Sequence, residues 1–244
     1  MAELLHQAAQ SGDLRQTISN LVSIPAGRFR MGQEDGRDEE RPVHSVTVDA
    51  FRLSRYQVTN ADYDAFRRAT AREAAPFHTQ APFARLDQPV VGVSWFDAVD
   101  YCSWLTAELG CRFRLPTEAE WERAARADLD QCPYPWGNEP IFARAGYSER
   151  WREGPEPAGT ALPNGFGLFD MCENVHEWCS DWYDPAYYAV SPENNPTGPE
   201  GGRRRASRGG SWRHHLKISR CAARSSIPPE FRYADYGFRV AADQ

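Results

Sequence analysis

The chain has 244 residues, of which 41% are hydrophobic and 12% aromatic, enough to bury the core of one large domain. Its formal charge of −6 gives no general attraction to nucleic acid or to an anionic membrane, and no apolar run approaches the roughly 18 residues that a membrane-spanning helix needs. Neither a nucleic-acid nor a membrane partner is expected, and 18 glycines with 18 prolines point to much irregular chain.

Residues 1–20 read as a short helix ahead of the domain, with Leu4, Leu5, Ala8 and Leu14 on one face. Glu3, Asp13 and Arg15 interrupt any export-signal core there, so the expected compartment is the cytoplasm. Residues 21–244 read as one domain. Stretches 21–24 and 27–31 suggest two strands of a hairpin turning at Pro25-Ala26-Gly27, the charged loop 33–41 is expected to be exposed, and 44–48 alternates as a half-buried strand should.

Three helices share one N-terminal signal, a hydroxyl residue followed three positions on by a carboxylate: Thr59 with Asp62, Ser94 with Asp97, and Thr117 with Glu120. They are predicted to run to about Ala69, Gly110 and Ala127. Phe96, Val99, Tyr101, Cys102 and Leu105 form the apolar stripe of the middle one. Beyond Gln131 shaped loops dominate, with strands expected at 205–212, 218–224 and 237–241. The basic run Arg203-Arg204-Arg205 reads as a solvated turn.

Seven distinct blocks stand out in order along the chain: Tyr56-Gln57-Val58-Thr59-Asn60, Arg114-Leu115-Pro116-Thr117-Glu118, Gly167-Leu168-Phe169-Asp170-Met171, Asn174-Val175-His176-Glu177-Trp178, Arg208-Gly209-Gly210-Ser211-Trp212, Arg220-Cys221-Ala222-Ala223-Arg224-Ser225 and Asp235-Tyr236-Gly237-Phe238-Arg239. Together they resemble the formylglycine-generating enzyme, or sulfatase-modifying factor, family from about Ile24 to Val240. The resemblance implies an α+β fold, a C-type lectin-like variant with few regular elements and many loops.

In the enzymes of that family two cysteines after the Gly-Gly-Ser block hold copper(I), a soft ion that prefers sulfur, and oxidise a substrate cysteine to formylglycine. The corresponding interval here, Arg213-His214-His215-Leu216-Lys217-Ile218-Ser219, contains no cysteine. His214 stands at the first copper position, Ser219 is nearest to the second, and Cys221 matches a structural cysteine. Neither copper(I) nor cysteine-to-formylglycine oxidation is therefore expected. The family's disulfide partners of Cys102 and Cys221 fall near Val240 and Ala125, so the six cysteines are expected to be free thiols, mostly buried.

The resemblance also carries a calcium site onto Asp170, Glu173, Val175 and Glu177, whose oxygens suit a hard cation. The competing reading makes Asp170 and Glu177 loop caps that bind backbone amides. His176, His214 and His215 are candidates for a transition-metal site. Against this, adjacent residues on a strand point to opposite faces, and hydrogen-bonding or surface histidines remain the alternative. Cys172 and Cys179, which flank His176, are expected in the core. Ser211 matches a serine that supports the pocket, and no catalytic acid beside it makes it a nucleophile.

Two readings of function follow. In the first, a calcium-stabilised scaffold has lost the copper thiolates and binds a peptide, protein or small ligand in the former active-site pocket, lined by Ser211, Trp212, Trp178, Trp182 and the histidines. The alternative is a metal-dependent oxidoreductase in which His176, His214 and His215 replace the cysteines. Residues 225–236 lack the asparagine-rich segments expected of a retroelement-diversified receptor.

Overall fold

The computed structural model describes residues 19–140, 153–213 and 218–243. The expected N-terminal helix lies outside them apart from its last two residues. All three capping boxes form, and their helices are α1 (Asn60–Thr70), α2 (Trp95–Leu109) and α3 (Glu118–Arg126). In each, the hydroxyl accepts the third helical N–H while the carboxylate accepts the N–H of the cap residue, a device worth about 1 kcal/mol per helix. Gly110, in the left-handed region at φ 69°, stops α2. The buried face of α2 is Ala98, Tyr101, Cys102 and Leu105; Phe96, placed on that stripe by sequence, is 51% exposed.

Among the described residues the strands form three sheets. In the first, β1 (Leu21–Ile24) pairs with β4 (Phe51–Ser54), and β10 (Ala241–Ala242) lies between β4 and β5 (Phe113–Arg114). The second contains only β2 (Gly27–Met31) and β3 (His44–Val48). The expected hairpin of 21–24 with 27–31 does not form, because Ile24 faces Phe51 while Gly27 faces Val48, sending the two stretches to different sheets. The third has the order β8 (Ser225–Ile227), β7 (Arg205–Arg208), β6 (His176–Trp182), β9 (Tyr236–Gly237), with β6 and β9 parallel.

Several boundaries differ from expectation for local reasons. The strand expected over 205–212 ends at Arg208, because Gly209 and Gly210 take φ of 93° and 69°. Residues 218–224 turn instead of extending, which sends Arg220 to Glu40 and Arg224 to Glu118. The stretch 237–241 splits between two sheets. The loop 33–41 is only partly exposed: Glu40 is fully buried and ion-paired with Arg220 and Arg37.

Two apolar clusters make the core. One joins α1 and α2 to Trp178 and Phe238; the other packs Trp121 of α3 on Met171, Cys172, Cys179 and Cys221. All six cysteines are free, and four of them are buried. Among the described residues, no helix is long and apolar enough to cross a membrane.

Candidate functional site

β6 carries Glu177 into the centre of the molecule, where it is fully buried. Arg239 donates to both of its oxygens, from Nε at 2.6 Å and from NH2 at 2.8 Å; Trp121 Nε1 donates to Oε2 at 2.6 Å. The side-chain amide of Gln57, just ahead of α1, donates to Oε1 at 2.8 Å. That Nε2 also lies 3.4 Å from the carbonyl oxygens of Glu173 and Val175. Three oxygens from the loop and strand thus converge on one buried point held by an amide nitrogen, while Gln57 Oε1 is buried without a hydrogen-bond partner.

These oxygens belong to three of the four residues expected to bind calcium. The fourth, Asp170, sits at φ 58° and its carboxylate accepts the amides of Gly159 at 2.6 Å and Ala161 at 3.2 Å. It therefore bridges to the neighbouring loop, as the capping alternative anticipates. The donor set of the cage is all oxygen, and turning the Gln57 amide about its terminal bond would add Oε1 to it and give that oxygen a use. This chemistry fits a hard cation.

The second part of the site lies on the same sheet. The backbone N–H of His176 donates to the Asp235 carbonyl at 2.8 Å, and its ring, 2% exposed, stacks on Tyr236 with centroids 4.8 Å apart. Asp235 is fully buried; Ser211 Oγ donates to one carboxylate oxygen at 3.1 Å and Arg213 to the other at 2.7 Å. The sequence places no acid beside Ser211, and the structure corrects this: Asp235, 24 positions on, accepts the Ser211 hydroxyl while its other oxygen is held by Arg213. Gly210 is required at this turn: its φ is 69°, and a Cβ there would lie 2.5 Å from Ser219 Oγ.

A cavity of about 360 Å³ opens beside these groups, lined among others by His176, Arg213, Tyr233, Asp235, Tyr236 and Arg224. Its size and its mix of aromatic and polar groups suit a small ligand or the side chain of a peptide. Of the pocket residues expected from sequence, His176 lines it and Ser211 reaches it through Asp235. The three tryptophans do not line it. Trp178 is fully buried with Nε1 donating to the Val93 carbonyl; Trp182 stacks on the Arg205 guanidinium, which lies 3.5 Å from it and 3.8 Å from Trp95; Trp212 packs on Phe83. His214 and His215 lie outside the described residues. Among those described, no group of three or more His, Cys, Asp or Glu side chains could hold a metal ion.

An ionic layer lies beneath. Arg224, on the cavity wall, is bidentate to Glu118 at 2.7 and 2.9 Å, and Arg208 and Arg126 both bind Glu122. Burial pulls the Glu122 carboxyl upward, but Arg126 and Arg208 outweigh it and hold the group below its ordinary value. Sequence reasoning did not single out Gln57, Arg213, Asp235 or Arg239. Gln57, Asp235 and Arg239 lie inside the ordered blocks, but their side-chain partners at the site are 22 to 120 residues away, which leaves no local signature.

A family model described as the sulfatase-modifying factor enzyme 1-like domain matches residues 6–244. The chain is 35% identical to the formylglycine-generating enzyme of Thermomonospora curvata, over 94% of this chain and 95% of the relative. It is 30% identical to the inactive C-alpha-formylglycine-generating enzyme 2 of Bos taurus, over 93% and 89%. Among solved structures, PvdO from Pseudomonas aeruginosa superposes with a TM-score of 0.80 at 31% identity, covering 92% of this chain and 94% of that one. With the mixed, loop-rich architecture and the buried Glu177–Arg239 centre in place, these matches assign the chain to the sulfatase-modifying factor family, whose members include the formylglycine-generating enzymes.

Proposed function

We propose that this protein is a family member without the copper thiolate pair, which uses a calcium-braced scaffold to bind a peptide or small ligand in the cavity beside His176. The observation carrying the reading is the cavity itself: a polar and aromatic recess whose buried carboxylate, Asp235, is already occupied by Ser211 and Arg213. Such a recess orients a ligand, and its described residues include no cysteine. Glu177, the carbonyls of Glu173 and Val175, and the Gln57 amide oxygen once turned would hold the ion. Calcium would tie these loop and strand oxygens together and supply no redox chemistry. His176 on the cavity wall keeps a second reading alive, a histidine-ligated oxidoreductase.

Element-resolved mass spectrometry on untagged protein purified without chelators separates the two, with His214→Ala beside wild type. About one calcium per chain, unchanged by the substitution, is the expected result. Stoichiometric iron, copper or zinc lost in the variant would replace binding with oxidoreduction, and protein free of any bound metal would refute the calcium brace.

A further inference from the structure

Two thiols outside the candidate site face each other across the core. Cys172 and Cys221 are fully buried in the cluster beneath α3, with their sulfurs 4.0 Å apart. Cys179, the third thiol of that cluster, instead turns to the carbonyl of Glu177 at 3.9 Å. A disulfide needs its sulfurs about 2.05 Å apart, so the gap to be closed is about 2 Å, shared between the two side chains.

We propose that Cys172 and Cys221 are a disulfide site, closed when the protein meets a low-molecular-weight disulfide such as oxidised glutathione. One cysteine sulfur attacks the glutathione disulfide as its proton leaves, and one glutathione thiol is released. The second cysteine sulfur then displaces the other glutathione. The two cysteines lose two protons and two electrons, and one oxidised glutathione becomes two reduced ones. Both sulfurs are shielded and burial pushes the Cys172 thiol up, so closure proceeds through local opening and is slow.

The bond would join two pieces of chain that flank the site. Cys172 belongs to the loop whose carbonyls at Glu173 and Val175 face Gln57, and Cys221 follows the segment that begins with Ser211 and Arg213. Closure would link the oxygen cage covalently to the chain that supports the cavity.

The test incubates the full chain in glutathione buffers from fully reduced to fully oxidised, alkylates under denaturing conditions, and maps the peptides by mass spectrometry. The expected product is a peptide pair joined through Cys172 and Cys221, two hydrogens lighter than the dithiol pair and abolished by dithiothreitol. It should come with a thermal midpoint higher by up to about 10 °C. Full alkylation of both cysteines at every buffer composition would overturn the proposal. So would glutathione retained on either one, or linkage to Cys179 or Cys132. Cys172→Val, which keeps the core apolar, should abolish both the linked peptide and the oxidative rise in midpoint. If that variant fails to fold, the wild-type peptide map decides alone.

Discussion

Asp181 offers a direct test of how burial sets the stability of this fold. It lies on β6, fully buried, and its Oδ2 accepts the Glu118 N–H at 2.9 Å and the Ser180 hydroxyl at 3.1 Å. Burial, and then the nearby Glu118 carboxylate, push its acid up to about 7 from an ordinary 3.8. At 1.36 kcal/mol per pH unit, the native state favours the protonated form by on the order of 4 kcal/mol relative to the unfolded chain. Because the folded value is the higher one, this stabilisation is complete below about pH 4 and is lost as the pH rises through 7. Asp181→Asn keeps an oxygen for the Glu118 amide and cannot ionise. Urea unfolding followed by tryptophan fluorescence at pH 4, 6 and 8 should show the two proteins diverging as pH rises, with the variant the more stable at pH 8 by up to about 4 kcal/mol. The distant carboxylates are common to both and cancel, so the difference reads Asp181 together with its coupling to Glu118. A variant no more stable than wild type at pH 8, or an offset independent of pH, would refute the assignment.

Two further substitutions address the centre of the site. Glu177→Gln leaves the buried Arg239 guanidinium without its counter-charge and should cost about 3–5 kcal/mol in thermal or urea unfolding; a loss under about 1 kcal/mol would show that Arg239 finds compensation elsewhere. Gly210→Ala places a Cβ against Ser219 Oγ in the left-handed region and should cost about 1–3 kcal/mol, measured the same way, whereas a neutral result would mean that the turn relaxes freely.

Local chemistry was legible from sequence where short-range partners determine it. The three capping boxes placed α1, α2 and α3 to within a residue or two at each end, because the cap and its carboxylate are three positions apart. β6 gave no such signal: four of its seven residues in a row are buried, so the alternation that marks a half-buried strand is absent. The same residues that defeated strand prediction over 218–224, Arg220 and Arg224, are drawn inward by Glu40 and Glu118, about 180 and 106 positions away. At the site, the ordered blocks drew attention to Glu177 and His176, but the amide of Gln57 among three oxygens and the Ser211–Asp235–Arg213 contacts exist only once distant loops are folded together.

The insertion of β10 between β4 and β5 sets an order of events during synthesis. β1 and β4 emerge early and can pair at once, yet one edge of β4, with its Phe51 and Leu53, has no strand to accept until Ala241 and Ala242 arrive. From Ser54 to Ala241, a nascent chain would present an unfilled apolar strand edge, the kind of surface on which chains associate wrongly and chaperones act. Slowed translation or premature termination ahead of Ala241 should therefore send this protein toward aggregation rather than toward a stable partial fold.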